Sequence, residues 1–314
     1  MKKIAFLFPG QGAQVVGMAK DFFDAFSSAK EVFNEADQLL GRPFSDLIFS
    51  GNQGELTKTK NAQLAIYIAS IAILRAVQEE CPFLQPSVCA GLSLGEYTAL
   101  TAARKCSFSE ALSLVALRGE EMDRACVQYP GTMRVVLGLD EENIRTLLPA
   151  GVWVANLNCP GQVVISGERE AIQLAEAAMK ARGAKRVLPL EVSGAFHSGL
   201  MISAQNALRP ALERVSLGES DIDLVMNVTG GIVREREAMR DALIQQVISP
   251  VYWERGIRTM MAQGIEVYFE LGPGKTLAGM NQRIGIPVPT ISIEKVEDLK
   301  KITAWREHAT IASR

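Results

Sequence analysis

The segment at residues 88–100 constrains the fold more than any other part of the chain, and its sequence is VCAGLSLGEYTAL. A short apolar run typical of a strand ends in a Gly-x-Ser-x-Gly pattern, and helix-forming residues follow at once. A strand that turns this sharply into a helix leaves no room for Cβ atoms on either side of the apex, which accounts for Gly91 and Gly95. The apex residue Ser93 then stands above the sheet, and the backbone N–H of Leu94 points to where an oxyanion would form. The segment therefore predicts a nucleophilic serine at the edge of an α/β sheet.

With 314 residues, 48% of them hydrophobic and 22% charged, the chain has the composition of a soluble globular protein. Its net charge of −2 argues against general nucleic-acid binding, which needs a basic surface. The apolar run at residues 4–8 is shorter than the core of a signal peptide, and no stretch reaches the roughly 18 apolar residues of a membrane span. Five cysteines without Cys-x-x-Cys spacing indicate free thiols in a reducing compartment. We therefore expect a cytoplasmic protein without a membrane segment.

Apolar runs typical of strands alternate with helical segments over most of the chain. The strand candidates lie at residues 4–8, 87–91, 224–227, 265–271 and 288–293. The clearest helix, at residues 61–80, is apolar nearly all round and is expected to lie within the core. Strands that alternate with helices favour a mainly parallel sheet covered on both faces.

The middle of the chain has a different order of elements. Strand-like runs at 132–139, 152–157, 162–166 and 185–190 are interrupted by helical runs at 141–148 and 168–182. This β-α-β-β-α-β order is the ferredoxin-like pattern, and it is complete in itself. The sequence therefore predicts a small inserted domain at 128–196 within a larger α/β domain formed by 1–127 and 197–314.

A serine hydroxyl needs a general base within reach, and histidine is the usual base near neutral pH. Of the two histidines, His308 lies close to the C-terminus, where chains commonly fray. His197 lies in a small-residue loop at the second crossing between the two predicted domains, and clefts between domains are preferred ligand sites. We therefore select His197 as the base. No acidic residue stands out as its partner, because Glu96 should point away from the serine, so an amide or a backbone carbonyl could orient the imidazole instead.

The spacing of residues excludes three other kinds of binding site. The run LGPGKT at 271–276 would need the first glycine of a phosphate loop at the position of Phe269. The run GQGAQV at 10–15 lacks the third glycine of a dinucleotide fingerprint, and the Cys and His residues show no metal-ligand spacing. Both glycine-rich turns follow strands, so we expect loops at the carboxyl edge of the sheet, where open α/β folds bind ligands.

Seven motifs, in one order along the chain, are shared with a known family. They are FPGQGAQ at 8–14, GLSLGE at 91–96, Arg118 on the helix after the serine, NCPGQVVISG at 158–167, GAFHS at 194–198, QVISPV at 246–251 and ELGPG at 270–274. With them the chain resembles the malonyl-CoA:acyl carrier protein transacylases of bacteria, and it is similar to the acyltransferase domains of polyketide and fatty acid synthases. The resemblance covers nearly the whole length. It implies an α/β fold with a hydrolase-like large domain, a mainly parallel sheet and an inserted ferredoxin-like small domain.

The resemblance also implies a role for each matching catalytic position. Ser93 would carry the acyl group as an ester, and His197 would act first as general base and then as general acid. Gln246 would orient His197 through its carbonyl oxygen, in the place that an acid usually takes. The backbone N–H groups of Gln11 and Leu94 would form the oxyanion hole.

Substrate contacts follow from the same resemblance. Arg118 would clamp the malonyl carboxylate with two parallel hydrogen bonds, whereas a surface ion pair is the alternative for an arginine at this helix position. Phe196 matches the malonyl-type pattern of the family and would crowd a methyl branch on the acyl group. Asn158 would contact the substrate or support the cleft.

The implied reaction is a ping-pong transfer of the malonyl group from malonyl-CoA to the phosphopantetheine thiol of acyl carrier protein, in fatty acid biosynthesis. It requires neither metal nor redox cofactor, nucleic acid nor membrane, and we expect a monomer. Three alternatives stay open. They are an acyltransferase of the same fold that serves a polyketide synthase or a malonate decarboxylase, a serine thioesterase or hydrolase, and an inactive binding module.

Overall fold

The computed structural model describes residues 3–311, and it describes side chains as far as His308. Its strands are β1 (Ile4–Phe8), β2 (Val88–Gly91), β3 (Gly131–Leu137), β4 (Val152–Cys159), β5 (Gln162–Glu168), β6 (Arg186–Pro189), β7 (Asp223–Met226), β8 (Gly231–Ile232), β9 (Val267–Leu271) and β10 (Thr290–Ile293). Its α-helices are α1 (Lys20–Ala25), α2 (Ser27–Leu40), α3 (Phe44–Ser50), α4 (Gln53–Thr57), α5 (Thr59–Glu80), α6 (Gly95–Ala102), α7 (Phe108–Gln128), α8 (Glu141–Thr146), α9 (Arg169–Ala181), α10 (Ile202–Arg214), α11 (Arg236–Gln246), α12 (Trp253–Ala262), α13 (Thr276–Ile284) and α14 (Leu299–Ile311). Short 3₁₀ turns lie at Gly199–Met201 and Val296–Asp298.

The larger sheet has six strands in the order β10-β9-β1-β2-β7-β8. The neighbouring pairs from β10 to β7 are parallel, and the short β8 pairs antiparallel with β7. Every residue of β1, β2 and β9 is buried, because both faces of the sheet are covered. This confirms the predicted α/β fold with a mainly parallel sheet. The predicted strands match β1, β2, β7, β9 and β10 to within two residues at each end, whereas the two residues of β8 carry no periodic pattern and are not predicted.

The two faces of this sheet belong to two different cores. Along β1, Phe6 and Phe8 pack into the core that contains α2, α5, α6 and α7, whereas Ala5 and Leu7 pack into the core that contains α12 and α13. Helix α5 is long and apolar enough to cross a membrane by length and composition, but 89% of its most apolar window is buried inside the fold. It is therefore the central helix of the first core, as its all-round apolar sequence predicts.

The second sheet contains β3 to β6 in the order β4-β5-β3-β6, and every neighbouring pair in it is antiparallel. Its apolar face packs on α8 and α9 through residues such as Val136, Ile165 and Ile172. The chain order and the strand order are those of the ferredoxin-like pattern that the sequence predicts. These elements run from Gly131 to Pro189, inside the predicted interval 128–196, and the limits of that interval stay a prediction.

The small sheet is joined to the large part of the fold beside the loop that precedes α12. The backbone N–H of Leu157 donates to the carbonyl of Val251 at 2.9 Å, and the N–H of Val251 donates to the carbonyl of Ala155 at 2.9 Å. This pairing fixes β4 against the loop between α11 and α12. A cavity is left between the small sheet and the carboxyl ends of β1 and β2.

Candidate active site

Ser93 lies at the tight turn between β2 and α6. Its φ of +51° is in the left-handed region, which residues other than glycine rarely adopt. A Cβ added at Gly91 would lie 1.9 Å from the carbonyl carbon of Gly95, and one added at Gly95 would lie 2.2 Å from the carbonyl oxygen of Phe8. The turn therefore requires glycine at both positions, for the steric reason that the sequence pattern predicts.

The imidazole of His197 is in hydrogen-bond contact with the serine. Ser93 Oγ lies 2.8 Å from His197 Nε2, and His197 Nδ1 lies 2.8 Å from the backbone oxygen of Gln246. Because a carbonyl oxygen only accepts, Nδ1 carries the proton and Nε2 is free to accept from the serine hydroxyl. The other histidine, His308, lies on α14 and is exposed.

A helix end takes the place that an acid usually has behind the histidine. Gln246 is the last residue of α11, where backbone carbonyls lack partners within the helix and carry the negative end of the helix dipole. Burial, and then the nearby charge of Arg118, lower the pKa of His197 to about 4. At neutral pH the imidazole is therefore uncharged and able to take a proton. The carbonyl of Gln246 favours the imidazolium ion that forms when it does.

Arg118 lies beneath the serine rather than on the surface. It is 1% exposed, and its Nη2 donates to Ser93 Oγ at 3.0 Å and to Gln246 Oε1 at 2.9 Å. Its Nη1 donates to Gln63 Oε1 at 2.6 Å, and its Nε has no partner among the described residues. Within that same part of the chain Arg118 forms no ion pair with a carboxylate. A buried positive charge held by neutral oxygens beside a nucleophile is suited to an anionic substrate group.

Asn227 supports the turn from the neighbouring strand, and the sequence prediction does not include it. Its Oδ1 accepts the backbone N–H of Ser93 at 2.7 Å, and its Nδ2 donates to the carbonyl of Gly91 at 2.7 Å. The residue follows directly after β7, which pairs with β2. A polar residue at the carboxyl end of a predicted strand is the signal that could have found it.

Among the described residues Glu96 makes no hydrogen bond to the serine side chain, but it reaches two residues of the site. Its Oε1 accepts the backbone N–H of Asn227 at 2.6 Å, and its Oε2 accepts from Gln246 Nε2 at 2.6 Å. Burial raises the pKa of Glu96 to about 7, against the lowering effect of these donors and of Arg118. The sequence gives no indication of these contacts, because they join three elements that are far apart along the chain.

The two backbone amides expected at the oxyanion hole lie in neighbouring loops. Gln11 follows β1 and Leu94 follows the serine after β2, and these two strands pair directly. A Cβ added at Gly10 would lie 2.4 Å from the carbonyl oxygen of Leu92, so the two loops approach each other closely. Within the described chain neither the Gln11 nor the Leu94 N–H donates to a protein acceptor.

A cavity of about 610 Å³ opens above the serine, between the two sheets. Five of the predicted site residues line it, namely Gln11, Ser93, Asn158, Phe196 and His197. The Oδ1 of Asn158 is buried and has no partner among the described residues. The other three, Leu94, Arg118 and Gln246, are buried around the serine.

The run at 271–276 resembles a phosphate-binding loop, but backbone N–H groups in and just after it donate to the protein's own carboxylates. Glu270 accepts the N–H groups of Leu277 and Ala278 at 2.9 and 3.0 Å, and Glu294 accepts the N–H of Gly274 at 3.0 Å. Residues 3–311 contain no group of three or more His, Cys, Asp or Glu placed to hold a metal ion. The five cysteines are buried and free.

A protein-family model described as an acyl transferase domain matches residues 5–288. The chain belongs to the acyl transferase family. It is 41% identical over 306 residues to the malonyl CoA-acyl carrier protein transacylase of Bacillus subtilis, with 96% of each chain covered. It is 40% identical over 289 residues to the transacylase of the same name from Escherichia coli, with 90% of this chain and 93% of that one covered.

Solved structures of this family have the same fold. The malonyl CoA-acyl carrier protein transacylase from Clostridium perfringens matches with a TM-score of 0.94 at 35% identity, covering 99% of this chain and 100% of that one. A malonyl-transacylase in complex with its type II PKS acyl-carrier protein matches with a TM-score of 0.91 at 39% identity, covering 95% of this chain and 98% of that one. These similarities confirm the family resemblance drawn from the seven motifs.

Proposed function

We propose that this acyltransferase moves the malonyl group from malonyl-CoA to the phosphopantetheine thiol of acyl carrier protein, through a malonyl ester on Ser93. The observation that carries the proposal is the buried guanidinium of Arg118, 3.0 Å from the oxygen of a serine that contacts His197. A serine with a histidine suits acyl transfer in general. The arginine beside them suits an acyl group that ends in a carboxylate. The names of the relatives agree with this assignment.

The first half of the reaction forms the ester. Ser93 Oγ attacks the thioester carbonyl while His197 Nε2 takes its proton. The carbonyl oxygen becomes an oxyanion, which accepts the N–H groups of Gln11 and Leu94. When the intermediate collapses, the carbon–sulfur bond breaks, and the proton on His197 goes to the departing thiolate of coenzyme A.

The second half reverses these steps with a different thiol. The thiol of the carrier's phosphopantetheine gives its proton to His197 and attacks the ester carbonyl. The carbon–oxygen bond of the ester breaks, and Ser93 recovers the proton. No atom changes oxidation state, so the transfer needs no redox cofactor. All the residues used come from one chain, and we place the reaction in the cytoplasm with the protein as a monomer.

Arg118 would select the acyl group. The malonyl carboxylate would accept two hydrogen bonds from the guanidinium, in exchange for contacts that neutral oxygens make with it in the free protein. An acetyl group would leave this buried charge without an anionic partner. Phe196, at the cavity wall, would crowd a methyl branch, and the free oxygen of Asn158 would contact the substrate.

The experiment that tests the proposal is intact-mass spectrometry of the protein mixed with malonyl-CoA alone. A stable malonyl adduct is expected, and Ser93→Ala should abolish it. Adding a carrier protein should remove the adduct and transfer its mass. Rapid turnover of malonyl-CoA without a carrier would indicate a hydrolase instead, and no adduct would indicate a binding module. Carriers of fatty acid synthesis, polyketide synthesis and malonate decarboxylation, compared side by side, would identify the acceptor.

A further inference from the structure

The carboxylate of Glu96 takes no part in the reaction steps, although it lies next to the residues that perform them. It is fully buried, and each of its oxygens accepts a hydrogen bond at 2.6 Å, one from the backbone of Asn227 and one from the amide of Gln246. A buried charge of this kind is costly unless its hydrogen bonds are well made. The two short hydrogen bonds offset part of this cost, and they fix the positions of both oxygens against Asn227 and Gln246.

The amide of Gln246 has a defined orientation. Its Nε2 donates to Glu96 Oε2 at 2.6 Å and to the backbone oxygen of Ser93 at 2.9 Å, while its Oε1 accepts from Arg118 Nη2 at 2.9 Å. A guanidinium only donates, and a carboxylate or a carbonyl only accepts. The amide therefore satisfies all three neighbours in one orientation and none of them when flipped.

We propose that Glu96 is a positioning residue that determines acyl selectivity by holding the Gln246 amide so that its oxygen faces Arg118. The guanidinium is then kept beside Ser93, where a carboxylate on the acyl group reaches it. This inference rests on the proposed function. It adds a residue that touches neither the substrate nor the reacting atoms and that acts through Gln246 on Arg118.

The isosteric variant Glu96→Gln replaces one of the two accepting oxygens by an NH₂ group. A glutamine can accept on one side only, and its NH₂ group must face the other N–H donor. Asn227 presents a backbone N–H at the end of β7, whereas Gln246 presents a side chain that can rotate. We therefore expect the oxygen to stay with Asn227 and the Gln246 amide to turn, which places an N–H donor against the guanidinium of Arg118.

The test compares the acylation of Ser93 by malonyl-CoA and by acetyl-CoA at pH 8, where Glu96 is ionised, in the wild-type protein and in Glu96→Gln. We expect the ratio of the two kcat/KM values to fall at least tenfold in the variant. The loss should be an increase in KM for malonyl-CoA, with acetyl-CoA changed less than about threefold. The matched control is Glu270→Gln, which alters another buried carboxylate that accepts backbone N–H groups and should leave the ratio unchanged.

Two results would overturn the inference. An equal loss with both acyl donors would mean that Glu96 only supports the turn through Asn227. A higher preference for malonyl-CoA would mean that the charge of Glu96 acts on the substrate by repulsion. Both differ from failure of the proposed function, in which the wild-type protein itself forms no malonyl ester or shows no preference for malonyl over acetyl.

A second variant keeps the inference testable if Glu96→Gln does not fold. Gln246→Leu removes the amide but keeps the backbone oxygen that contacts His197, and it should reduce the malonyl-to-acetyl ratio by the same factor. If Glu96 acts through this amide, the double variant should be no less selective than Gln246→Leu alone. Additive losses of selectivity would contradict the proposed route.

Discussion

Replacing Arg118 by alanine should change which acyl group Ser93 accepts. The guanidinium is 1% exposed, and a malonyl carboxylate beside Ser93 would be buried with it. Leaving one partner of a buried pair uncompensated costs about 3–5 kcal/mol. At about 1.4 kcal/mol for each factor of ten, this predicts a fall of roughly 150- to 5,000-fold in kcat/KM for malonyl-CoA. An acetyl group carries no charge, so acylation by acetyl-CoA should lose only the hydrogen bond from the charged Arg118 to Ser93 Oγ. A hydrogen bond to a charged group is worth about 1.5–3 kcal/mol, which predicts a smaller fall of roughly 10- to 150-fold.

The assay is quenched-flow acylation of the protein by each acyl-CoA without a carrier, followed by intact-mass spectrometry. Arg118→Lys should fall between the wild-type protein and the alanine variant, because an ammonium keeps the charge but not the planar pair of donors. Arg124→Ala is the matched control on the same helix. Its side chain is 70% exposed and pairs with Glu121 on the surface, so its removal should leave both rates unchanged.

An equal slowing of acylation by malonyl-CoA and by acetyl-CoA in Arg118→Ala would refute recognition of the malonyl carboxylate by Arg118. Such a result would assign the arginine to the support of Ser93 and leave the recognition of the carboxylate to another residue. Retention of the wild-type preference for malonyl would refute it as well. A loss of folding would be visible as a lower unfolding temperature, so thermal unfolding accompanies each rate measurement.

Three further predictions concern the turn and the residues below it. Gly91→Ala should prevent folding or lower the unfolding free energy by more than about 4 kcal/mol, since its Cβ would lie 1.9 Å from Gly95. An unfolding temperature close to that of the wild-type protein would contradict this clash. Asn227→Leu leaves the N–H of Ser93 without its acceptor and should slow acylation by about 10- to 100-fold, which rapid-quench rates would detect. Because the pKa of Glu96 is raised from 4.5 to about 7, the folded protein keeps a proton there that the unfolded chain releases, so stability falls as pH rises through this range. Denaturant unfolding at pH 5 and pH 8 measures the change in unfolding free energy in the wild-type protein and in Glu96→Gln, and the effect of His197 is common to both. The wild-type protein should lose up to about 3 kcal/mol more than the variant between the two pH values. An equal pH dependence of the two proteins would refute the raised pKa of Glu96.

Much of the fold follows from local patterns in the sequence. The apolar runs at residues 4–8 and 87–91 predict buried strands, and they form β1 and β2, in which every residue is buried. The β-α-β-β-α-β order in the middle of the chain is sufficient to specify a second sheet. The glycine at position 91 is required by the turn at Ser93 itself, since a Cβ there would clash with Gly95, whereas a Cβ at Gly95 would clash with the end of β1.

The catalytic pair also follows from the motifs of the sequence. A serine at the apex of such a turn needs a base, and the chain offers two histidines, of which His197 lies 2.8 Å from the serine oxygen. The remaining roles in the sequence prediction come from resemblance to a family. Composition and spacing alone do not distinguish Arg118 from an arginine on the surface.

The surroundings of this pair are set by tertiary contacts that no local pattern predicts. The fold buries Arg118, joins Glu96 to Asn227 and Gln246, and turns the end of α11 toward His197. These contacts depend on the order of strands in the sheet, which brings the carboxyl ends of β1, β2 and β7 side by side. A local pattern determines where each strand ends. Which strands pair depends on how the whole domain buries its apolar surface. The contacts of a polar residue at a strand end therefore involve residues that are distant in sequence.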